Sequence, residues 1–162
     1  MTDDNKKFFT FIMMKPDAIY RGYVHDIVSI LRQEGFVIEH ITACFVKNSV
    51  IYSHYDHLIQ EFGESFRAKI DEYYLDKPVI PIILSATFPD IIYRVRELVG
   101  VTDPSKADKK TIRGKYGEDS AEKADAENRC CYNLIHAADS AESFQREVRI
   151  WFPSIPNFIN VQ

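Results

Sequence analysis

Residues 8–17 read Phe-Phe-Thr-Phe-Ile-Met-Met-Lys-Pro-Asp. Seven nearly all apolar residues, rich in β-formers, make the pattern of a buried strand. Pro16 cannot continue a central strand, and it biases Lys15 toward an extended conformation. The run therefore predicts a buried strand with a lysine held at its mouth. Working outward, Arg21-Gly22 marks a turn, and Val24, Ile27, Val28 and Leu31 line one face of a helix that stops at Gly35. Residues 36–46 alternate loosely, as a half-buried strand does. Ile51 to about Tyr74 is helical and aromatic-rich, and it is expected to break near Gly63. Val79–Leu84 is a second apolar strand, with Pro81 predicting an edge, a bulge or an irregular start. A helix over about 89–99 follows, with Ile92, Val95 and Val99 inward and Arg96 leaving between them.

The remaining core comes from residues 132–152. Leu134 and Ile135 close a short apolar strand, and His136 is expected where it gives out. Asp139 or Ser140 can cap the next helix, and Glu142 stands three after Asp139 as a capping box requires. Phe144, Val148 and Trp151 recur at i, i+4, i+7 and mark that helix's inward face. Glu147 lies on the same face, where a carboxylate is costly unless something satisfies it. The candidate partner is His136. An imidazole held at one nitrogen by a carboxylate keeps the other for nucleophilic or acid–base work. The order strand, helix, strand, helical insert, strand, helix, strand, helix predicts a ferredoxin-like βαββαβ sandwich. Its expected form is a four-stranded antiparallel sheet with helices on one face, an α/β (α+β) chain forming a single domain with its core at about 8–153. A doubly wound parallel sheet is the alternative, although no Gly-rich phosphate fingerprint or P-loop is present.

At 162 residues, 46% apolar and 27% charged, the composition is that of a globular protein, with no run long enough for a membrane-spanning helix. The first seven residues carry no secretory pattern. Cys44, Cys130 and Cys131 are odd in number and lack metal-ligand spacing, as expected of reduced thiols in a cytoplasmic protein. The net charge of −4 argues against general nucleic-acid binding. Within it, residues 94–116 hold seven basic residues against Glu97, Asp103 and Asp108. A local basic excess on an acidic chain points to an anionic ligand. That stretch reads as loop from Gly100 onward. The acidic segment from Gly117 to Asn128 reads as a short exposed helix with Asp119 and Glu122 as its capping pair. The chain after Phe152 is expected to be extended.

A lone histidine after a strand is most often structural. Here Lys15, the basic stretch and His136 with its carboxylate form a set suited to phosphoryl transfer, which asks for positioning and charge neutralisation more than covalent machinery. The sequence resembles the nucleoside diphosphate kinases in Thr10-Phe-Ile-Met-Met-Lys-Pro-Asp17, Gly100-Val-Thr-Asp-Pro104, Thr111-Ile-Arg-Gly114 and Asn133-Leu-Ile-His-Ala-Ala-Asp-Ser140. The match continues through Glu142 to Phe152 and covers nearly the whole chain from about Phe8 to Pro153.

The resemblance implies a ping-pong kinase in which His136 takes the γ-phosphate of a nucleoside triphosphate and passes it to a nucleoside diphosphate. It implies that Lys15 contacts phosphate and the ribose 3′-hydroxyl, and Asn133 the ribose. Tyr55 and Glu147 would support the histidine, and Arg96, Thr102 and Arg113 would hold phosphates. Phe66, aligned by counting back from Pro78, would stack on the base. Mg²⁺ would arrive with the nucleotide, with Asp139 able to bind it through water, and the protein would be a homo-oligomer. Stacking on one ring leaves few contacts to base edges, so broad nucleotide specificity is expected. A degenerate, non-catalytic nucleotide-binding or scaffolding module is the alternative.

The chain departs from the family pattern at Ala138, where a serine is usual. It departs again at Cys131 and Tyr132, and in extra length at 56–65 and between Arg113 and Asn133. A lost hydroxyl hydrogen bond at Ala138 costs roughly 0.5–1.5 kcal/mol, predicting slowed but not abolished turnover.

Overall fold

The first strand, β1 (Phe8–Met14), lies in the interior of the sheet because both its faces are apolar. The structure, a computed structural model, describes residues 6–155. The first five residues and the tail from residue 156, including most of the segment expected to be extended, lie outside them. Among the described residues the chain runs β1, α1 (Pro16–Tyr20), α2 (Val24–Gln33), β2 (Val37–Ile41), β3 (Cys44–Phe45), α3 (Asn48–His54) and α4 (Asp56–Tyr74). It continues through β4 (Pro78–Ala86), α5 (Ile91–Val99), a single 3-10 turn at Pro104–Lys106, α6 (Ile112–Tyr116), α7 (Ala121–Ala126), β5 (Ile135–Ala137) and α8 (Ala141–Trp151). The strand order is β2-β4-β1-β5, with β3 also on β4 and every pair antiparallel. This is the expected ferredoxin-like arrangement with one edge strand divided in two. The break falls where β4 carries Pro81. Thr42 N–H donates to the Pro81 carbonyl at 3.2 Å, so the missing N–H of Pro81 faces the gap between β2 and β3. An imino residue is tolerated there because no ladder bond is lost.

Helices cover both faces of the sheet, where one was expected. Ile12 and Met14 of β1 pack with Ile27, Leu31, Ile91, Val95 and Val99 of α2 and α5. Phe9, Phe11 and Met13 pack on the other side with Ile51, Ile70, Tyr73, Phe144, Val148 and Trp151 of α3, α4 and α8. Alternating β1 side chains thus enter two apolar layers, which is what a strand apolar on both faces requires.

Four further boundaries differ from expectation. The 100–116 segment is partly helical: the Thr111 hydroxyl accepts from Gly114 N–H and caps α6. Ser120, not Asp119, caps α7, accepting from Lys123 N–H at 3.1 Å. Ser140, one of the two expected caps, caps α8 by accepting from Ser143 N–H, and it is the Asp139/Glu142 capping box that does not form. His136 is the middle residue of β5, opposite Met13 of β1, and not a residue beyond the strand. The helical break at Gly63 is present, at φ 72° and ψ −157°.

Candidate active site

The site is assembled at one end of the two central strands. Lys15 follows β1 directly, and its N–H donates to Leu134 O at 2.8 Å. Asp17, in the first turn of α1, accepts from Leu134 N–H at 2.9 Å and from the Tyr73 hydroxyl at 2.5 Å. These bonds hold Leu134 at φ 69°, a left-handed conformation costly for a branched residue and kept only where the surroundings impose it. The reversal at Leu134 turns Asn133 toward Lys15 while Ile135–Ala137 pairs with β1. Lys15 Nζ then donates to Asn133 Oδ1 at 2.7 Å, and Asn133 Nδ2 donates to Thr102 O at 3.0 Å.

Arg113 stands beneath this pair. Its Nε donates to Asn133 O at 3.2 Å, Nη1 to Gly100 O at 2.8 Å and Nη2 to Ile135 O at 2.6 Å. Three of the five N–H groups of a guanidinium are thus engaged and two remain. Gly114 allows this placement, because a Cβ there would collide with the Asp108 backbone carbonyl. Burial, then the neighbouring Arg96, brings the Arg113 pKa down to about 10. Burial, then Arg113, brings Lys15 down to about 8. Arg96, in the last turn of α5, reaches Ala137 O at 3.5 Å.

His136 Nε2 lies 2.9 Å from Glu147 Oε1 on α8. Burial, then the charges of Lys15 and Arg113, push the imidazole pKa down to about 3, so the ring is uncharged near neutrality. Burial pushes the Glu147 carboxyl up, while Arg146, 3.9 Å away, favours its ionised form. Glu147 Oε2 is buried and has no hydrogen-bond partner among the described residues. The residue after Ala137 is the buried, apolar Ala138, which offers it none.

Tyr55 stands one ring away from His136. Its hydroxyl bonds with that of Tyr74 at 2.8 Å, and its ring meets His54 edge-on at 4.6 Å. His54 in turn packs on His136, with ring centroids 4.5 Å apart at 78°. His54 Nδ1 accepts the Trp151 indole N–H at 3.1 Å, which leaves the proton of this neutral ring on Nε2.

The side chains enclose a cleft of about 720 Å³ lined by Lys15, Tyr55, Arg96, Thr102, Arg113, Asn133, His136, Asp139 and Glu147, with Arg146 and His54. It continues into a second lobe of about 490 Å³, which shares Lys15, Tyr55, Thr102 and Asn133 and adds Phe66 beside Phe62. Every residue singled out in the sequence therefore lines one connected cleft. Sequence reasoning missed Asp17, His54 and Arg146. Asp17 had a signal, as an acid in the first turn after a proline, but its partner lies 117 residues away.

A cation-lined phosphate-sized end, a lysine–asparagine waist and an aromatic end together suit a nucleotide. The family model described as "Nucleoside diphosphate kinase" matches residues 9–156. A nucleoside diphosphate kinase of Streptococcus pneumoniae is 35% identical over 144 residues, 88% of this chain and 98% of the relative. Nucleoside diphosphate kinase 1 of Arabidopsis thaliana is 29% identical over 91% of this chain and 89% of its own. Among solved structures, the nucleoside-diphosphate kinase of Borrelia burgdorferi, a transition-state mimic with bound vanadate and ADP, superposes with a TM-score of 0.83. It is 28% identical, over 90% of this chain and 87% of that one. The Halobacterium salinarum enzyme in complex with CDP superposes at 0.74, also 28% identical, over 90% and 88%. On fold, site and sequence alike, the chain belongs to the nucleoside diphosphate kinase family and is a phosphotransferase.

Proposed function

We propose that His136 Nδ1 is the atom that carries the phosphoryl group, in a ping-pong exchange between nucleoside tri- and diphosphates. The observation that carries this is the 2.9 Å contact of Nε2 with Glu147. With Nε2–H donated to the carboxylate, the lone pair of the uncharged ring sits on Nδ1, which has no protein partner among the described residues and belongs to a ring lining the cleft. Nδ1 attacks the γ-phosphorus as the bond to the β,γ-bridging oxygen breaks, and the nucleoside diphosphate leaves with that electron pair. The imidazolium character that develops is stabilised by Glu147. The second half-reaction is the reverse, with the terminal phosphate oxygen of another nucleoside diphosphate as attacking atom. Lys15 and the two free N–H groups of Arg113, with Arg96, neutralise the phosphate oxygens.

In this reading Asn133 and Lys15 at the waist meet the ribose, and Phe66 in the second lobe stacks on the base. Mg²⁺ fits this site as a companion of the phosphates. Asp139 lines the same cleft, and a hydrogen bond from Ser143 at 2.5 Å keeps its carboxyl ionised, below its ordinary pKa. Asp139 would hold the ion through water, and when bound the ion supplies charge neutralisation between phosphates. A homo-oligomer is supported by the exposed Val37 and Ile41 on the edge strand β2 and by Phe45 on β3, 70% exposed. A cytoplasmic setting is supported by three free cysteines. No helix among the described residues is long and apolar enough to cross a membrane.

Incubation with γ-labelled ATP tests the mechanism. The expected result is one acid-labile, base-stable phosphate per chain, discharged by GDP and absent from His136→Gln. A stable label in His136→Gln, or none in the wild type, overturns it.

A further inference from the structure

Among the described residues, one group of histidine and carboxylate side chains is close enough to chelate a metal ion, and it includes His136. One ligand atom each from His54, His136 and Glu147 all lie within 4.8 Å of one another. Two imidazoles and a glutamate are a ligand set that zinc proteins use, and imidazole also suits copper and nickel. Bonds of about 2 Å set tetrahedral ligands roughly 3.3 Å apart, a difference of the size that side-chain rotations close. His136 and Glu147 are already in contact at 2.9 Å, and the second oxygen of Glu147 is buried without a partner. All three side chains line the cleft, so an ion has a way in.

The position of one proton stands against such an ion. The Trp151 indole N–H, which can only donate, points at His54 Nδ1 at 3.1 Å. Nδ1 is therefore occupied, and the ring's own proton is on Nε2. A metal ion needs a lone pair, so neither nitrogen of His54 can ligate while this bond lasts. Moving the proton to Nδ1 would free Nε2, but it would set two N–H donors against each other in a buried contact. His54 is 1% exposed and Trp151 8%, so water cannot relieve that clash, and an unmade buried hydrogen bond is costly. Glu147 and Trp151 stand one turn apart on α8, so the helix that brings the carboxylate also brings the N–H that disables the third ligand.

We infer that Trp151 keeps transition-metal ions off His136 by fixing the tautomer of His54. Trp151 is thus a positioning residue that acts through His54. In the proposed reaction, an ion on His136 Nε2 would send that ring's proton to Nδ1 and remove the attacking lone pair. Mg²⁺, a hard cation that prefers oxygen ligands, is not affected. Metal binding is the only event involved, so the outcome is independent of whether His136 carries phosphate.

Equilibrium dialysis of the whole chain against Zn²⁺, without nucleotide, tests this. Trp151 is the chain's one tryptophan. Biosynthetic replacement by benzothienylalanine, with sulfur where indole has its N–H, therefore deletes the donor at this position alone and keeps the ring's shape. Trp151→Phe removes the same donor and serves as the second variant. Each is expected to bind one additional Zn²⁺ per chain, at least about tenfold more tightly than wild type, and to lose it on adding His54→Gln. Zinc held by the cysteines contributes equally to every protein, and a purely structural role for Trp151 would create no His54-dependent equivalent. Wild type that binds zinc through His54 as tightly as the variants overturns the inference. So does an additional equivalent that survives His54→Gln, or its absence from both variants.

Discussion

Glu147 reaches His136 with one of its two carboxylate oxygens, Oε1 at 2.9 Å from Nε2, and the other, Oε2, is buried without a partner. An unpartnered buried acceptor costs roughly 1–3 kcal/mol. Two residues on from His136, the serine usual in the family is replaced by the buried Ala138, which brings no hydroxyl. Ala138→Ser is therefore expected to raise kcat, by up to about tenfold, as one restored hydrogen bond allows. Steady-state rates with ATP and a fixed diphosphate measure this; a variant slower than the parent counts against the reading.

Glu147→Gln keeps an oxygen to accept from Nε2–H but loses the charge that stabilises the phosphorylated ring. Hydrogen bonds to charged groups are worth about 1.5–3 kcal/mol, so kcat should fall roughly ten- to hundredfold. Nucleotide affinity, assigned in the proposed mechanism to Lys15, Asn133 and the arginines, should hardly move. Stopped-flow phosphorylation beside equilibrium binding separates the two effects.

Lys15 carries a pH signature. With its pKa brought down to about 8 by burial and Arg113, it is charged below that pH and neutral above it. The logarithm of kcat/KM, which reports the free enzyme, should therefore fall as pH rises through about 8. Bound phosphate favours the ammonium, so the falling limb of kcat should lie at higher pH. A kcat/KM profile flat from pH 7 to 9.5 would contradict this assignment.

Asp119 and Arg129 form the most buried carboxylate–guanidinium pair of the inserted segment, with side chains 6% and 9% exposed. The hydrogen bonds from Arg129 hold the Asp119 carboxyl down at about 2. A depressed carboxyl contributes stability that is present above its unfolded pKa, about 3.9, and is lost as pH falls toward 2. Asp119→Asn should lose about 3 kcal/mol at pH 7, within the insert if it opens locally, and should show less acid sensitivity between pH 4 and 2. Hydrogen exchange of α7 and urea unfolding across that range measure both.

Gly114→Ala should disable the site without touching a ligand. A Cβ at this position meets the Asp108 carbonyl and forces α6 outward, and Arg113 with it. Nucleotide binding is expected to weaken by more than tenfold, since the three backbone bonds of Arg113 and the phosphate contact proposed for it move together. A dissociation constant equal to that of wild type would show that Arg113 is positioned by something other than α6.

Legibility in the sequence followed the range of the interaction. β1 was plain because every position from Phe8 to Met14 but Thr10 is apolar, and the inward faces of α2, α5 and α8 were plain from their spacing. The same apolar β1 also signalled two covered faces, although a single helical layer was the expectation. Helix caps were harder, because adjacent Asp and Ser residues compete for one role. Ser120 and Ser140 took it, freeing Asp119 for Arg129 and Asp139 for the cleft.

By itself the sequence determined the strand and helix order and the inward placement of Glu147, while most of the residues that line the cleft were named through the resemblance to the family. Residue spacing along regular elements sets which side chains share a face, and that is local information. Only the tertiary structure decided which nitrogen of His136 meets Glu147, which groups remain without partners, and that the inserted segment lies against the aromatic lobe of the cleft. Those depend on contacts such as Lys15 with Asn133, 118 residues apart, and Trp151 with His54, 97 apart. Their geometry follows from how the sheet and its two helical layers pack together, which no local spacing specifies.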